Sequence, residues 1–319
     1  RQAIMAEWSD ALMSGPGVIV LHRAETDLAM LDAASELFRR MIEEQHRGGT
    51  GGGDHFAKPG ANDRIWNSLE KHCLADPANF ARYYGNRFLA AVSEAWLGPH
   101  YQMTAQLNVV NPGGAAQSPH RDYHLGFQAA AEIERYPLHV QTLSPVLTLQ
   151  GAMAHVDAPL ETGPTLLLPH SQKWPEGYLA MGRDDVRAYF AANLVQLPLA
   201  KGDMLFFSPA LFHAAGTNHS AEVRRMVNLF QVSSAYGRAM ESVDRLRMVK
   251  ALYPALLAAR ADQSLTPDQI AAAIAASAEG YAFPTNLDRD PPVGGMAPKS
   301  QARVVSEALA EGLPAPSLF

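Results

Sequence analysis

The chain has 319 residues, 47% of them apolar and 18% charged, with 26 basic against 32 acidic side chains. That balance is too apolar for a disordered chain, its net charge of −6 gives no phosphate attraction for nucleic-acid binding, and no apolar run approaches the roughly 20 residues of a membrane span. The lone cysteine, Cys73, excludes an intrachain disulfide, while twelve histidines leave nitrogen and oxygen as the donors for any bound metal.

In chain order, Trp8, Leu12 and Met13 predict a short amphipathic helix, ended by Ser14-Gly15-Pro16-Gly17. Val18 to Leu21 reads as a buried strand. From Thr26 as N-cap, Leu28, Leu31, Phe38, Met41 and Ile42 recur at helical spacing. The glycines of Gly48–Gly53 then break the pattern; no Lys-Ser/Thr pair closes them as a phosphate loop, so they read as a flexible loop or a mobile lid. Asn79 to Leu97 predicts one more helix.

Beyond Gly98-Pro99 the character changes. Short segments near 102–110, 146–155, 165–168, 194–199, 204–207 and 226–232 are rich in branched and aromatic residues and punctuated by Gly, Pro and Asn. Several short strands with turn signals point to a β-sandwich, barrel or jelly roll. Glu241 to Leu257 returns to helical spacing with Pro254 expected to kink or end it, and Thr266-Pro267 opens an Ala-rich helix. The proline-rich tail from Ala282 reads as irregular. The expected organisation is one α+β domain: a mainly helical flank over 1–99, a β core over 100–235, and carboxy-terminal helices with a tail over 236–319.

Two histidines and a carboxylate on one face suit oxygen-activating iron, because they leave three coordination positions open. A His-x-Asp pair on a strand places both side chains on the same side. The chain has two such pairs, His120-Arg121-Asp122 and His155-Val156-Asp157. The first follows the loop Asn111-Pro112-Gly113-Gly114, at a strand entrance where a site can open. The second continues an apolar run and reads as structural. Downstream, Lys201-Gly202-Asp203 turns into an apolar strand, His213 follows, and Arg224 and Arg225 open the next strand. An arginine pointing into a β-barrel is costly unless it meets an anion, and its fork suits a carboxylate. A metal triad with such an arginine suggests a dicarboxylic co-substrate.

His120-Arg121-Asp122-Tyr123-His124, Gly163-Pro164-Thr165, Lys201-Gly202-Asp203, His213 and Arg224, in this order and spacing, resemble the phytanoyl-CoA dioxygenase family across about residues 100–235. The resemblance implies a double-stranded β-helix (cupin-like jelly roll) and a non-haem iron(II)- and 2-oxoglutarate-dependent dioxygenase that hydroxylates an unactivated C–H bond with O2 as the second co-substrate. His120, Asp122 and His213 would be the iron ligands, Arg224 would pair with the far carboxylate of 2-oxoglutarate with Arg225 facing outward, and Gln117 and Thr165 would hydrogen-bond the co-substrate. His124, Arg121 and His170 are candidates for touching substrate. Where the family usually reads Pro-Gly-Ser-His, this chain has Pro169-His170-Ser171-Gln172, which alters the wall beside the site. Asp122 stands where related halogenases carry a small residue, favouring oxidation over halogenation.

The implied substrate is a small-molecule metabolite (an amino-acid derivative, a natural product or an acyl compound), with no nucleic-acid or membrane partner, in a cytoplasmic monomer or homodimer. Two other accounts stay open: a non-catalytic metal-binding scaffold or sensor, and a metal-dependent hydrolase or isomerase on the same fold. The first would form no succinate from 2-oxoglutarate with iron added, and the second would be indifferent to O2.

Overall fold

The computed structural model describes residues 1–48, 58, 60–282, 287–289 and 291–315. Nine strands are described: β1 (Val18–Leu21), β2 (Asn62–Ile65), β3 (Gln102–Val110), β4 (Thr148–Ala154), β5 (Leu166–Leu168), β6 (Val195–Gln196), β7 (Met204–Phe207), β8 (Phe212–Ala214) and β9 (Arg225–Ser233). They form two antiparallel sheets, one of six strands in the order β1-β7-β4-β9-β3-β2 and one of three in the order β6-β5-β8. Helices α1 (Gln2–Met13), α2 (Leu28–Arg47), α3 (Ser68–Ala75), α4 (Pro77–Tyr84) and α5 (Arg87–Leu97) precede β3. Short helices α6 (Ala130–Ile133), α7 (Leu138–Leu143), α8 (Gly177–Ala180) and α9 (Asp184–Asn193) lie between strands, and α10 (Arg245–Ala261), α11 (Pro267–Ser277) and α12 (Gln301–Glu311) follow β9. Among the described residues no helix is long and apolar enough to cross a membrane.

The large sheet is amphipathic, and its strand period says how. In β3, Met103, Ala105, Leu107 and Val109 alternate with Gln102, Thr104, Gln106 and Asn108. The apolar set, with Met226, Phe230 and Val232 of β9, Leu149 and Met153 of β4 and Phe206 of β7, packs into one core with the helices. Burying that face is the main stabilisation the sheet can draw on, at roughly 25 cal/mol per Å² of apolar surface. The other face, joined by residues of the small sheet, lines one cavity of about 710 Å³. Helices on one side thus leave the opposite side of the sheet free to carry polar chemistry.

Several expected boundaries move. The N-cap of α2 is Asp27, whose carboxylate accepts from the Met30 amide at 3.0 Å, in place of Thr26. The helix expected over 79–97 is two helices, because Asn86 caps a new start by accepting from the Phe88 and Leu89 amides. Pro254 sits inside α10, which continues although that residue has no N–H to donate one turn back. The tail expected to be irregular contains α12, capped by Ser300 and ended by Gly312 in the left-handed region at φ 68°. Thr266 and Pro267 open α11 as expected, with a capping box closed by Gln269. Strand β2, Asn-Asp-Arg-Ile, has three polar residues in four, carries no strand signature and is held by pairing with β3. Of the glycine run, only Gly48 lies within the described residues.

Candidate metal centre

His120 and His213 face each other across an isolated antiparallel bridge. The His120 amide donates to the His213 carbonyl at 2.9 Å, the His213 amide returns the bond at 3.1 Å, and the ring centroids lie 4.5 Å apart. Each ring is oriented from behind. His120 Nδ1 lies 2.8 Å from the Ser118 carbonyl oxygen, and His213 Nδ1 lies 2.8 Å from that of Leu211. A carbonyl only accepts, so both Nδ1 atoms carry the proton and both Nε2 atoms present lone pairs. Burial first, and then the facing His213, hold His120 below the ordinary histidine value, which keeps it neutral at pH 7.

Asp122 completes the group. Its Oδ1 lies 3.5 Å from His120 Nε2 and its Oδ2 3.4 Å from His213 Nε2, and one donor atom from each residue lies within 4.8 Å of the others. Burial pushes this carboxyl up, but His213, His120 and the Gln150 amide outweigh it and hold it down at about 2. Two neutral imidazole nitrogens and one carboxylate, converging from one side at the cavity wall, are the donor set of a facial-triad metal site, and the residues fit iron(II).

The two arginines face the opposite way from the expectation. Arg224 lies outside β9 and is exposed, with its guanidinium 3.0 Å from Asp63 Oδ2 and 2.9 Å from Asn111 Oδ1. Arg225 begins the strand, in phase with Val227, Leu229 and Gln231, and lines the cavity. Alternation does separate the two arginines onto opposite faces, but the register pairing Arg225 with Val110 sets the opposite phase. Arg225 is 5% exposed, donates to the Thr162 carbonyl at 3.1 Å, and is lowered to about 10 by burial. No carboxylate pairs with it among the described residues.

Gln117 and Thr165 both lie in the cavity wall with the triad, and Gln117 Oε1 accepts from the Ala215 amide at 3.2 Å. The three substrate candidates lie elsewhere. Arg121 points away from the cavity because its neighbours His120 and Asp122 face it; its Nη2 donates to the Ser171 and Trp174 carbonyls at 2.7 and 2.9 Å, and the guanidinium lies over Phe212 and Tyr178. The strand does not continue to His124. Tyr123 takes φ 65°, the chain enters a 3-10 turn, and His124 meets Ser144 Oγ at 2.9 Å. His170 occupies an exposed left-handed position. In the divergent segment, Ser171 Oγ accepts from the Phe212 amide at 2.8 Å, so this turn buttresses the strand that carries His213.

The second His-x-Asp pair is structural. His155 is buried between Ser35 Oγ and the Tyr83 hydroxyl, both 2.8 Å away, and Asp157 accepts from the Lys201 amide. Cys73 is buried, and burial pushes its thiol up to about 12. Sequence reasoning missed most of the polar part of the cavity wall: Gln106, Gln150, Gln231 and Glu241. The signal was present in β3, where Gln106 and Asn108 share one face of the strand.

Residues 1–226 match the phytanoyl-CoA dioxygenase (PhyH) family. The chain is 29% identical over 141 residues to the iron/alpha-ketoglutarate-dependent dioxygenase ausU of Aspergillus calidoustus, covering 43% of this chain and 41% of that protein. It is 28% identical over 145 residues to the dioxygenase andF of Emericella variicolor, covering 43% and 44%. The matched stretch spans less than half the length of these curated relatives. Among solved structures, AviO1 from Streptomyces viridochromogenes Tue57 is similar with a TM-score of 0.52 and 19% identity over 75% of this chain and 98% of that one. The epimerase SnoN in complex with Fe3+, alpha ketoglutarate and nogalamycin RO is similar with a TM-score of 0.50 and 17% identity over 73% and 85%. These two likenesses are of fold.

Proposed function

Because this chain belongs to the phytanoyl-CoA dioxygenase family, we propose that it is a non-haem iron(II)- and 2-oxoglutarate-dependent dioxygenase that hydroxylates an unactivated C–H bond of a small-molecule metabolite, on a double-stranded β-helix core. The observation that carries this reading is Arg225: a buried guanidinium without a carboxylate partner among the described residues, in the same cavity as the triad. An isolated buried charge is costly, and a dicarboxylate bound between it and the metal site offsets that cost.

Bound iron(II) supplies the O2 activation by which 2-oxoglutarate becomes succinate and CO2 while one substrate C–H becomes C–OH. The protein supplies position. His120, Asp122 and His213 hold the metal from one side, with their tautomers fixed by the Ser118 and Leu211 carbonyls. Arg225 takes the far carboxylate of the co-substrate, and Gln117 and Thr165 hydrogen-bond it. Leu197, Leu199, Leu205 and Phe207 line the cavity with apolar surface that keeps water from the reacting groups.

Succinate release tests the reading. The protein with iron(II), 2-oxoglutarate and O2 should form succinate at a rate that His213→Ala reduces at least a hundredfold. Succinate formation indifferent to O2, or retained in His213→Ala, contradicts it.

A further inference from the structure

One end of the cavity is a polarised row of amides. Arg225 and Gln231 face the cavity from the same strand, six residues and thus about 20 Å apart. At the Gln231 end, Arg64 Nη1 donates to Gln106 Oε1 at 2.7 Å, and Gln106 Nε2 donates to Gln231 Oε1 at 3.0 Å. Both of these bonds run toward Gln231. Its own Nε2 donates to no protein acceptor among the described residues, although the side chain is only 7% exposed. Gln231 also stands directly across the strand register from Gln150, the residue bonded to Asp122. The open donor therefore lies beside the metal ligands, on the side of the cavity away from Arg225.

This end carries one guanidinium and one carboxyl, Glu241, which burial pushes up to about 7. Arg64 is its only basic side chain among the described residues, and Glu241 lies in the same wall, accepting from the Asn67 amide at 2.7 Å. Lysines are absent from the cavity lining among the described residues, and the Arg64 guanidinium is engaged with Gln106 and the Trp66 ring, a weak match for the several phosphate charges of an acyl-CoA. The cavity lining also includes Trp66, whose ring carries the Arg64 guanidinium 4.8 Å from its centroid, with Phe127 and Met240, apolar side chains suited to rings. A cavity of about 710 Å³ holds a drug-sized molecule.

We infer that the prime substrate is a neutral multi-ring molecule whose carbonyl oxygen accepts a hydrogen bond from Gln231 Nε2, with its rings against Trp66, Phe127 and Met240. This rests on the reading of the Arg225 end as the 2-oxoglutarate end. An unsatisfied amide in an apolar cavity discriminates strongly between a ligand that pairs with it and one that does not. Gln231 thereby selects the substrate class and sets which part of the molecule lies near the metal.

The test is calorimetric titration of the anaerobic iron(II)- and 2-oxoglutarate-loaded protein with probes of three kinds. These are neutral polycyclic ketones with their deoxygenated parents (androstane-3,17-dione and androstane), polycyclic carboxylic acids, and acyl-CoA thioesters. The ketones should bind at least tenfold tighter than their parents and than either charged class. Gln231→Leu should remove the ketone advantage while leaving the dissociation constant of 2-oxoglutarate unchanged. The ketone–parent comparison on the unaltered protein keeps the inference testable if that variant folds poorly. Equal binding of ketone and parent, preference for the acids or thioesters, or no binding of any probe overturns it. Failure of 2-oxoglutarate itself to bind is a different result and overturns the co-substrate reading.

Discussion

Gln150 Nε2 donates to Asp122 Oδ2, the carboxylate oxygen that faces His213. Gln150 projects from β4 into the cavity, and its own Oε1 is buried with no partner among the described residues. The amide fixes the carboxylate plane from behind while leaving Oδ1 toward His120. Partners of this kind, acting through a ligand, contribute roughly ten- to a hundredfold in metal affinity. Gln150→Leu should weaken iron(II) binding by about that factor in a chelator competition with 2-oxoglutarate absent. An unchanged iron(II) dissociation constant would show that the bond does not position the ligand.

Arg121 and Gly177 form one packing unit behind the metal centre. A Cβ at position 177 would fall 1.9 Å from Arg121 Cζ, so the guanidinium occupies the space a side chain would need. Two backbone carbonyls hold the guanidinium and prevent it from yielding. Gly177→Ala should cost about 2–3 kcal/mol in urea unfolding, as overpacking does. In an Arg121→Met background the same change should cost less than half as much, because the clashing group is gone. Additive costs would contradict the unit.

Acid should destabilise the fold through two buried histidines. Burial lowers His72 to about 4 and His155 to about 3. The bond from the Tyr83 hydroxyl occupies His155 Nε2, since that hydroxyl itself accepts from Asn228 Nδ2 at 3.1 Å. Both rings stay neutral in the folded chain where the unfolded chain protonates them. The unfolded state therefore binds more protons between pH 6.5 and about 4, and stability falls as pH falls through that window. Each histidine contributes about 1.4 kcal/mol per pH unit below 6.5. His155→Gln should reduce the slope of unfolding free energy against pH between 5 and 6.5 by about that amount; an unchanged slope contradicts the assignment.

How much of this was legible in the sequence depended on whether the signal was local. His120 and Asp122 share a side because i and i+2 do so on extended chain, and the turn at Gly163-Pro164-Thr165 fixes where the small sheet begins. The phase of β9 was not legible: whether Arg224 or Arg225 faces inward depends on pairing with Val110 from 115 residues earlier. His124 was misplaced because nothing in Tyr123 announces a left-handed backbone. Strand β2 hid because Asn62 and Asp63 have low strand propensity and the strand is held by its neighbour. The amide row was half-visible in the alternation of β3, but its end at Gln231 appears only when three strands lie side by side.

The two arginines also separate by stability. Removing an uncompensated buried cation is neutral or stabilising for the unliganded protein, so Arg225→Met should unfold at a temperature no lower than the unaltered chain. With iron(II) present throughout, adding ten millimolar 2-oxoglutarate should raise the melting temperature of the unaltered protein and of Arg224→Met alike, and that of Arg225→Met by less. A rise in Arg225→Met equal to that of the unaltered protein counts against the assignment.

The most direct measurement is an anaerobic titration of the iron(II)-loaded protein with 2-oxoglutarate, followed by the visible charge-transfer absorption of the chelate. The unaltered protein and Arg224→Met should saturate alike, Arg225→Met should need at least tenfold more 2-oxoglutarate, and His213→Ala should give no band. No band in the unaltered protein, or saturation of Arg225→Met at the same concentration, would contradict an iron and 2-oxoglutarate centre built on His120, Asp122, His213 and Arg225.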